Sequence, residues 1–167
     1  YFEHSTLAAL DVFGRAEVDA MVLEVGLGGR LDATNILDAD VAVLCSVGMD
    51  HRDWLGDTLE QIGAEKAGIF RHGQRVVLGS AEMPASVWHR LEQLQCQVWT
   101  ARREFDWRID GGEGYRGEPW AFRTAQCVLT DLPAPALAGA IQYRNAASAL
   151  AALQLLGAPG ACERERV

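Results

Sequence analysis

The run Glu24-Val25-Gly26-Leu27-Gly28-Gly29-Arg30-Leu31-Asp32-Ala33-Thr34-Asn35 constrains this chain most. Met21-Val22-Leu23 lies directly before it and reads as the core of a buried strand, Asp19 to Val25, that delivers a carboxylate at its end. The glycines that follow let backbone come close to whatever binds there. An acid at the carboxyl edge of a parallel strand is where open α/β sheets bind ligands.

The rest of the first hundred residues alternates in the same way. Residues 5–14 place Leu7, Leu10 and Phe13 at helical spacing, with Gly14 as the stop. Val41 to Val47 and Arg75 to Gly79 read as further buried parallel strands. A helix is expected from about Thr58 to Phe70, opened by a capping box of Thr58 and Gln61, and another from Ala85 to Gln95. This alternation predicts a doubly wound, mostly parallel α/β sheet flanked by helices. From Val98 to Leu137 the pattern changes to short β-like runs split by Asp110-Gly111-Gly112 and Gly117-Glu118-Pro119, which predict antiparallel hairpins at the C-terminal side of the same domain. Trp107, Ile109, Trp120, Phe122, Val128 and Leu129 supply their apolar positions. A last helix spans about Gln142 to Leu156, with Leu150, Leu153 and Leu156 inward and Gly157 as its stop.

Composition removes several classes of function. A net charge of −8 argues against a general nucleic-acid or membrane-surface binder. No apolar run approaches the ~20 residues of a membrane span. Cys45, Cys96, Cys127 and Cys162 are far apart and form no CxxC pair, which reads as four free thiols of a cytosolic protein. The absence of an initiator Met, with Tyr1 leading almost directly into a helix, reads as an internal piece of a longer chain.

Three side chains form the candidate chemical site. Lys66 falls in line with Leu59, Ile62 and Ile69 on the apolar stripe of its helix. Such a lysine either snorkels or pairs with an acid, or is desolvated, its pKa lowered and its amine made nucleophilic. His51 follows the second strand at the sheet edge where Glu24 emerges; a solvated loop histidine is the plain alternative. Carboxylate, imidazole and an activated lysine together suit Mg²⁺ or Mn²⁺ beside phosphate oxygens. The glycine turn does not complete a dinucleotide fingerprint, because Leu31 stands where a small residue is required and no acid ends the next strand. There is no GxxxxGK[ST] phosphate loop. Arg30 either touches phosphate or, as expected first, braces the turn against Asp32 or Asp38, and Trp54 either packs or walls the site.

Tyr1-Phe2-Glu3, Glu24 to Asn35, Asp50-His51 with Trp54-Leu55-Gly56, Glu65 to Arg71 and Gln142 to Ala147 together resemble the central ATPase domain of the Mur ligase superfamily. Within that superfamily they most resemble the dihydrofolate synthase/folylpolyglutamate synthase family, over nearly the whole chain and in the family's order. That resemblance implies a P-loop-type fold lacking its P-loop strand, with residues 1–157 a partial central domain and 158–167 a truncated linker or tail. It implies Glu24, His51 and Lys66 as magnesium ligands, Lys66 being the lysine that family members carbamylate. It implies a pterin pocket from Tyr1, Phe2, Glu3, Leu31, Asp32 and Ala33, and an ATP contact at Asn145. Family members commonly carry His before the Gln of the last motif, where this chain has Ile141 before Gln142. The implied activity is ATP-dependent addition of L-glutamate to dihydropteroate or folate polyglutamate through an acyl phosphate, in a cytoplasmic monomer with no nucleic-acid or membrane partner. The phosphate loop and the C-terminal domain would lie outside this chain, leaving it inactive alone. Another Mur-type amino-acid ligase and a non-catalytic nucleotide-binding remnant are the alternatives.

Overall fold

The computed structural model describes residues 1–114 and 117–163. Its central feature is a parallel sheet of three strands in the order β1 (Val41–Leu44), β2 (Arg75–Leu78) and β3 (Gln97–Thr100). Val41 pairs with Arg75 and Leu44 with Leu78, and Arg75 in turn with Gln97. Strand β2 is covered on both faces, which is why its sequence is continuously apolar. Val76 and Leu78 point into one core with Ala42, Leu44, Phe70, Val87 and Leu91. Val77 points the other way, into a second core with Phe105, Phe122, Tyr143, Ala147 and Leu150.

The first core is roofed by helices α3 (Leu59–Lys66) and α4 (Ala85–Gln93). The expected capping box is present: Gln61 N–H donates to Thr58 Oγ1 at 3.2 Å, and Gln61 Oε1 accepts from Thr58 N–H at 3.2 Å. Glu60, in the first turn of α3, accepts from Ala85 and Ser86 N–H at 3.0 and 2.7 Å and so caps α4 as well. Helix α4 therefore begins without a cap of its own, at Pro84.

The second core joins helix α5 (Ala140–Leu156) to an antiparallel sheet of β4 (Phe105–Ile109), β5 (Trp120–Thr124) and β6 (Val128–Leu132). Trp120 meets Tyr143 edge-on at 6.0 Å, and both polar tips are satisfied: Trp120 Nε1–H donates to Pro133 O and Tyr143 O–H to Glu118 O, each at 2.9 Å. Gly157 adopts the left-handed conformation that ends α5.

Several expectations are corrected. Asp19 to Val25 is not a strand: the segment pairs with no ladder, and Val22 is 94% exposed. Its apolar residues are strand-like, but a strand requires a neighbour, and β1 pairs only with β2 among the described residues. Helix α1 (Phe2–Arg15) runs through Gly14 and ends at Ala16, and Leu7 is exposed. Val98 to Thr100, expected among the hairpins, belong with Gln97 to β3 of the parallel sheet, and Val128 is exposed. The buried face of α5 is Tyr143, Ala147, Leu150 and Ala151, while Leu153 and Leu156 are largely exposed. Four free thiols are also corrected: Cys127 and Cys162 form a disulfide, leaving Cys45 and Cys96 free. Sequence separation concealed this pair, because the fold carries the end of α5 back to the β5–β6 turn. No helix among the described residues is long and apolar enough to cross a membrane.

Thr58→Ala, which removes the accepting oxygen of the box, is expected to cost about 1 kcal/mol in denaturant melts. Alkylation of the denatured, unreduced chain should label two cysteines, Cys45 and Cys96, and reduction should raise the count to four. Reduction should also lower stability by up to ~4 kcal/mol, since the bridge closes a loop with a separation of 35 residues.

Candidate functional site

The glycine run follows no strand; it is docked on the end of the lysine helix. Gly29 is buried, and a Cβ there would lie 2.9 Å from both the Lys66 carbonyl oxygen and Ile69 Cγ2. A Cβ on Gly68 would overlap the Cα and Cβ of Arg30. The two glycines thus permit backbone-to-backbone contact between segments that any side chain would hold apart. Arg30 N–H donates to Glu65 O at 3.0 Å, and its Nε donates to both Glu65 carboxylate oxygens at 3.0 and 3.1 Å. Arg30 therefore braces the turn, as its chemistry suggests, but against Glu65 rather than Asp32 or Asp38.

Asp32 is engaged by its own loop. Its Oδ2 accepts from Gly26 and Leu27 N–H at 3.0 and 3.3 Å, and its Oδ1 from Thr34 N–H and O–H at 2.9 and 2.7 Å. Partial burial opposes the charge, but the four hydrogen bonds outweigh it and hold the carboxyl below its ordinary range. Asp32 also caps the short 3-10 helix Ala33–Ile36. Asn35, one turn on, donates from Nδ2 to Arg30 O and Gly68 O at 3.1 and 3.2 Å, tying the loop to the far side of the lysine.

Between this loop and α1 lies a cavity of about 350 Å³. Of the six residues expected around a pterin, Glu3, Leu31, Asp32 and Ala33 line it. Phe2 stands beside it against Gly26, and Tyr1 is fully exposed. Thr6, Arg30, Asn35 and Ile36 also line the cavity and were not singled out from sequence for this role. The helical spacing of Glu3, Thr6 and Leu7 was the available signal.

Lys66 is the last residue of α3 and is half-buried, beside the fully buried Ile62 and Ala67. It has no acidic partner among the described residues, because its neighbour Glu65 is taken by Arg30. The paired-lysine alternative is therefore excluded among them. His51 stands at the start of the four-residue helix α2 (Arg52–Leu55) with φ of 52°, an uncommon left-handed conformation for a histidine. Its ring is half exposed, with Nε2 3.6 Å from Asp50 Oδ2. Glu24 is exposed and makes no hydrogen bond or ion pair among the described residues. No three His, Cys, Asp or Glu side chains converge among those residues to hold a metal ion by themselves. Glu24 and His51 fit a hard divalent cation in donor chemistry, as part of a shell that further oxygen ligands must complete. Trp54 is 80% exposed and does not line the cavity beside α1. Asn145 is half-buried on α5, accepting no part in the cavity, with Nδ2 donating to Gln142 Oε1 at 3.3 Å.

Residues 3–153 match the family described as the Mur ligase middle domain. The chain is 47% identical over 156 residues to the dihydrofolate synthase/folylpolyglutamate synthase of Haemophilus influenzae, covering 93% of this chain and 33% of that protein. A solved structure of E. coli FolC in complex with DHPP and ADP superposes with a TM-score of 0.85 at 42% identity, over 98% of this chain and 38% of that one. A bifunctional folylpolyglutamate synthase/dihydrofolate synthase with Mn, AMPPNP and L-glutamate bound gives 0.82 at 41%, over 98% and 38%. The chain spans about a third of the length of the curated relatives it matches. The match over residues 3–153, with solved relatives at 41–42% identity over 98% of the chain, places the chain in the Mur ligase family, as its middle domain.

Proposed function

We propose that this chain supplies the acceptor-side and metal-side residues of an ATP-dependent amide ligase that adds L-glutamate to dihydropteroate or to folate polyglutamates. The observation that carries this reading is the cavity: Glu3 and Leu31-Asp32-Ala33 line it, on a loop locked to the segment bearing Lys66. Relatives that bind DHPP, ADP, AMPPNP, Mn and L-glutamate share the fold and 41–42% of the sequence, which supports the same ligand classes here. The phosphate-binding loop and the glutamate site belong, in this reading, to other parts of the ligase, and the chain alone is inactive. It acts as a monomer in the cytoplasm.

The reaction runs in two steps. A carboxylate oxygen of the acceptor attacks the γ-phosphorus of ATP, releasing ADP and giving an acyl phosphate. The glutamate amine then attacks the acyl carbon, loses a proton, and expels phosphate as the amide forms. Tyr1, Phe2, Glu3, Leu31, Asp32 and Ala33 hold the pterin end, and Asn145 contacts ATP. Asp32 works chiefly through the loop, since its four accepted hydrogen bonds set the shape of the wall. The neutral Lys66 amine attacks CO₂ and loses a proton, which turns a cationic side chain into an anionic oxygen donor. Glu24, His51 and carbamylated Lys66 would hold Mg²⁺, which when bound neutralises charge on the transferring phosphoryl group. Half-burial of Lys66 without an acidic partner supports its part in this.

In the full-length protein, Lys66→Ala should lower dihydropteroate- or tetrahydrofolate-dependent ADP release at least ~100-fold, with partial recovery in a short carboxylic acid. Unchanged turnover would overturn the assignment. Which of the two acceptors drives ADP release decides between the synthase and the polyglutamate activity. For Asp32 the folded carboxyl lies below its ordinary value, so its stabilisation is complete above about pH 4 and is lost as pH falls through the folded pKa. Thermal melts of wild type and Asp32→Asn should therefore differ near neutral pH and converge in acid.

A further inference from the structure

We propose that Arg71 is a positioning residue for Lys66, clamping the stretch after the lysine to the glycine loop and so fixing where Lys66 stands relative to the loop that begins at Glu24. This rests on the ligase reading above, in which those two side chains serve one cation. Lys66 is the last residue of α3, and the backbone continues as a single 3-10 turn, Ala67–Ile69, before Phe70 extends away. Carbonyls at such an end have no partner within the helix. Here Gly68 O accepts from two side chains: Asn35 Nδ2 at 3.2 Å and Arg71 Nη1 at 3.3 Å.

All three guanidinium nitrogens of Arg71 are engaged. Nη2 donates to Asn35 O at 2.9 Å and Asn35 Oδ1 at 3.0 Å, and Nε donates to Asp38 Oδ1 at 2.5 Å. Arg71 thus grips both sides of the joint between loop and helix end, and it also orients the Asn35 amide that bridges to Arg30 O. Its own backbone is anchored on the core side, its N–H donating to Oε1 of the buried Gln74 at 2.9 Å. The side chain is 32% exposed, so water competes only partly for these bonds. Arg71 lines no part of the 350 Å³ cavity, so it acts through Lys66 and the loop rather than on substrate. A lysine would keep the charge opposite Asp38 but lacks the planar fork that reaches Asn35 and Gly68 together. A ligand constellation tolerates displacements of only about 0.5 Å, which loops meet only when held in this way.

The test uses the full-length protein with four forms: wild type, Arg71→Lys, Asn35→Asp and Lys66→Ala. Mn²⁺ affinity is read by electron paramagnetic resonance, alongside kcat, KM for the pterin substrate and melting temperature. Arg71→Lys should raise the Mn²⁺ Kd about tenfold or more and lower kcat by a similar factor, leaving that KM unchanged. Should Arg71→Lys fail to fold, Asn35→Asp carries the Mn²⁺ affinity and kcat readouts but not that of KM, because Asn35 lines the cavity; it keeps the oxygen facing Arg71 and loses both donations to carbonyls. A lower melting temperature with wild-type Mn²⁺ affinity and kcat would show a purely structural clamp and overturn the proposal. If Lys66→Ala weakens Mn²⁺ binding while the other two variants do not, positioning fails and the ligase site stands. If Lys66→Ala leaves Mn²⁺ affinity intact, the ligase site fails and the proposal falls with it.

Discussion

The contact between Gly29 and the carbonyls of Glu65 and Lys66 is the constraint on which the site depends. Hydrogen bonds at this joint are possible only because the two backbones touch. Arg30 N–H reaches Glu65 O because neither Gly29 nor Gly68 has a side chain to separate the segments. Once they touch, the ionic groups arrange themselves around the seam: Arg30 with Glu65 on one side, Arg71 with Asn35 and Asp38 on the other. The exposed Arg30–Glu65 pair contributes little by itself, of the order of 1 kcal/mol or less. Its effect is directional, because a bidentate guanidinium fixes an angle as well as a distance.

The seam in turn needs a rigid base, which β2 and its two cores provide. Val76 and Leu78 fix the layer of α3 and α4, and Val77 fixes the layer of α5 and the antiparallel sheet. Glu60 couples α3 to α4 by capping its neighbour, so the helix that ends in Lys66 cannot shift without unseating the next one. The site is thus assembled from loops, but each loop is referenced to an element that is buried on at least one face.

Much of this was legible in the residues. The continuous apolar run in Arg75–Leu78, the Thr58–Gln61 box and the Gly157 stop depend on short-range patterns, and each is present. Features that depend on distant partners were not legible. Met21-Val22-Leu23 has strand composition, but composition does not supply a neighbouring strand. Leu153 and Leu156 continue the spacing of Leu150, yet the helix turns Ala147 and Ala151 inward, because close packing against the sheet favours small side chains there. In the proposed site, the residue types at Glu24, His51 and Lys66 and their order along the chain are read directly from the sequence. The partners of Arg30 and Asp32 are not, because Glu65 lies 35 residues from Arg30 along the chain and Asp32 takes amides and a hydroxyl of its own loop. Asn35 and Arg71 were hidden for the same reason: their importance lies in carbonyls that sequence does not display.

The Cys127–Cys162 bridge has a mechanical consequence. It joins the β5–β6 turn to the chain just beyond α5, enclosing β6 and the whole helix in one covalent ring. Tension applied from the residues after Cys162 is transferred directly to the antiparallel sheet at Cys127. Helix α5 lies inside the ring and carries none of that load. Tyr143, Ala147 and Leu150 can therefore stay seated in the core while the chain beyond the bridge is pulled or turned.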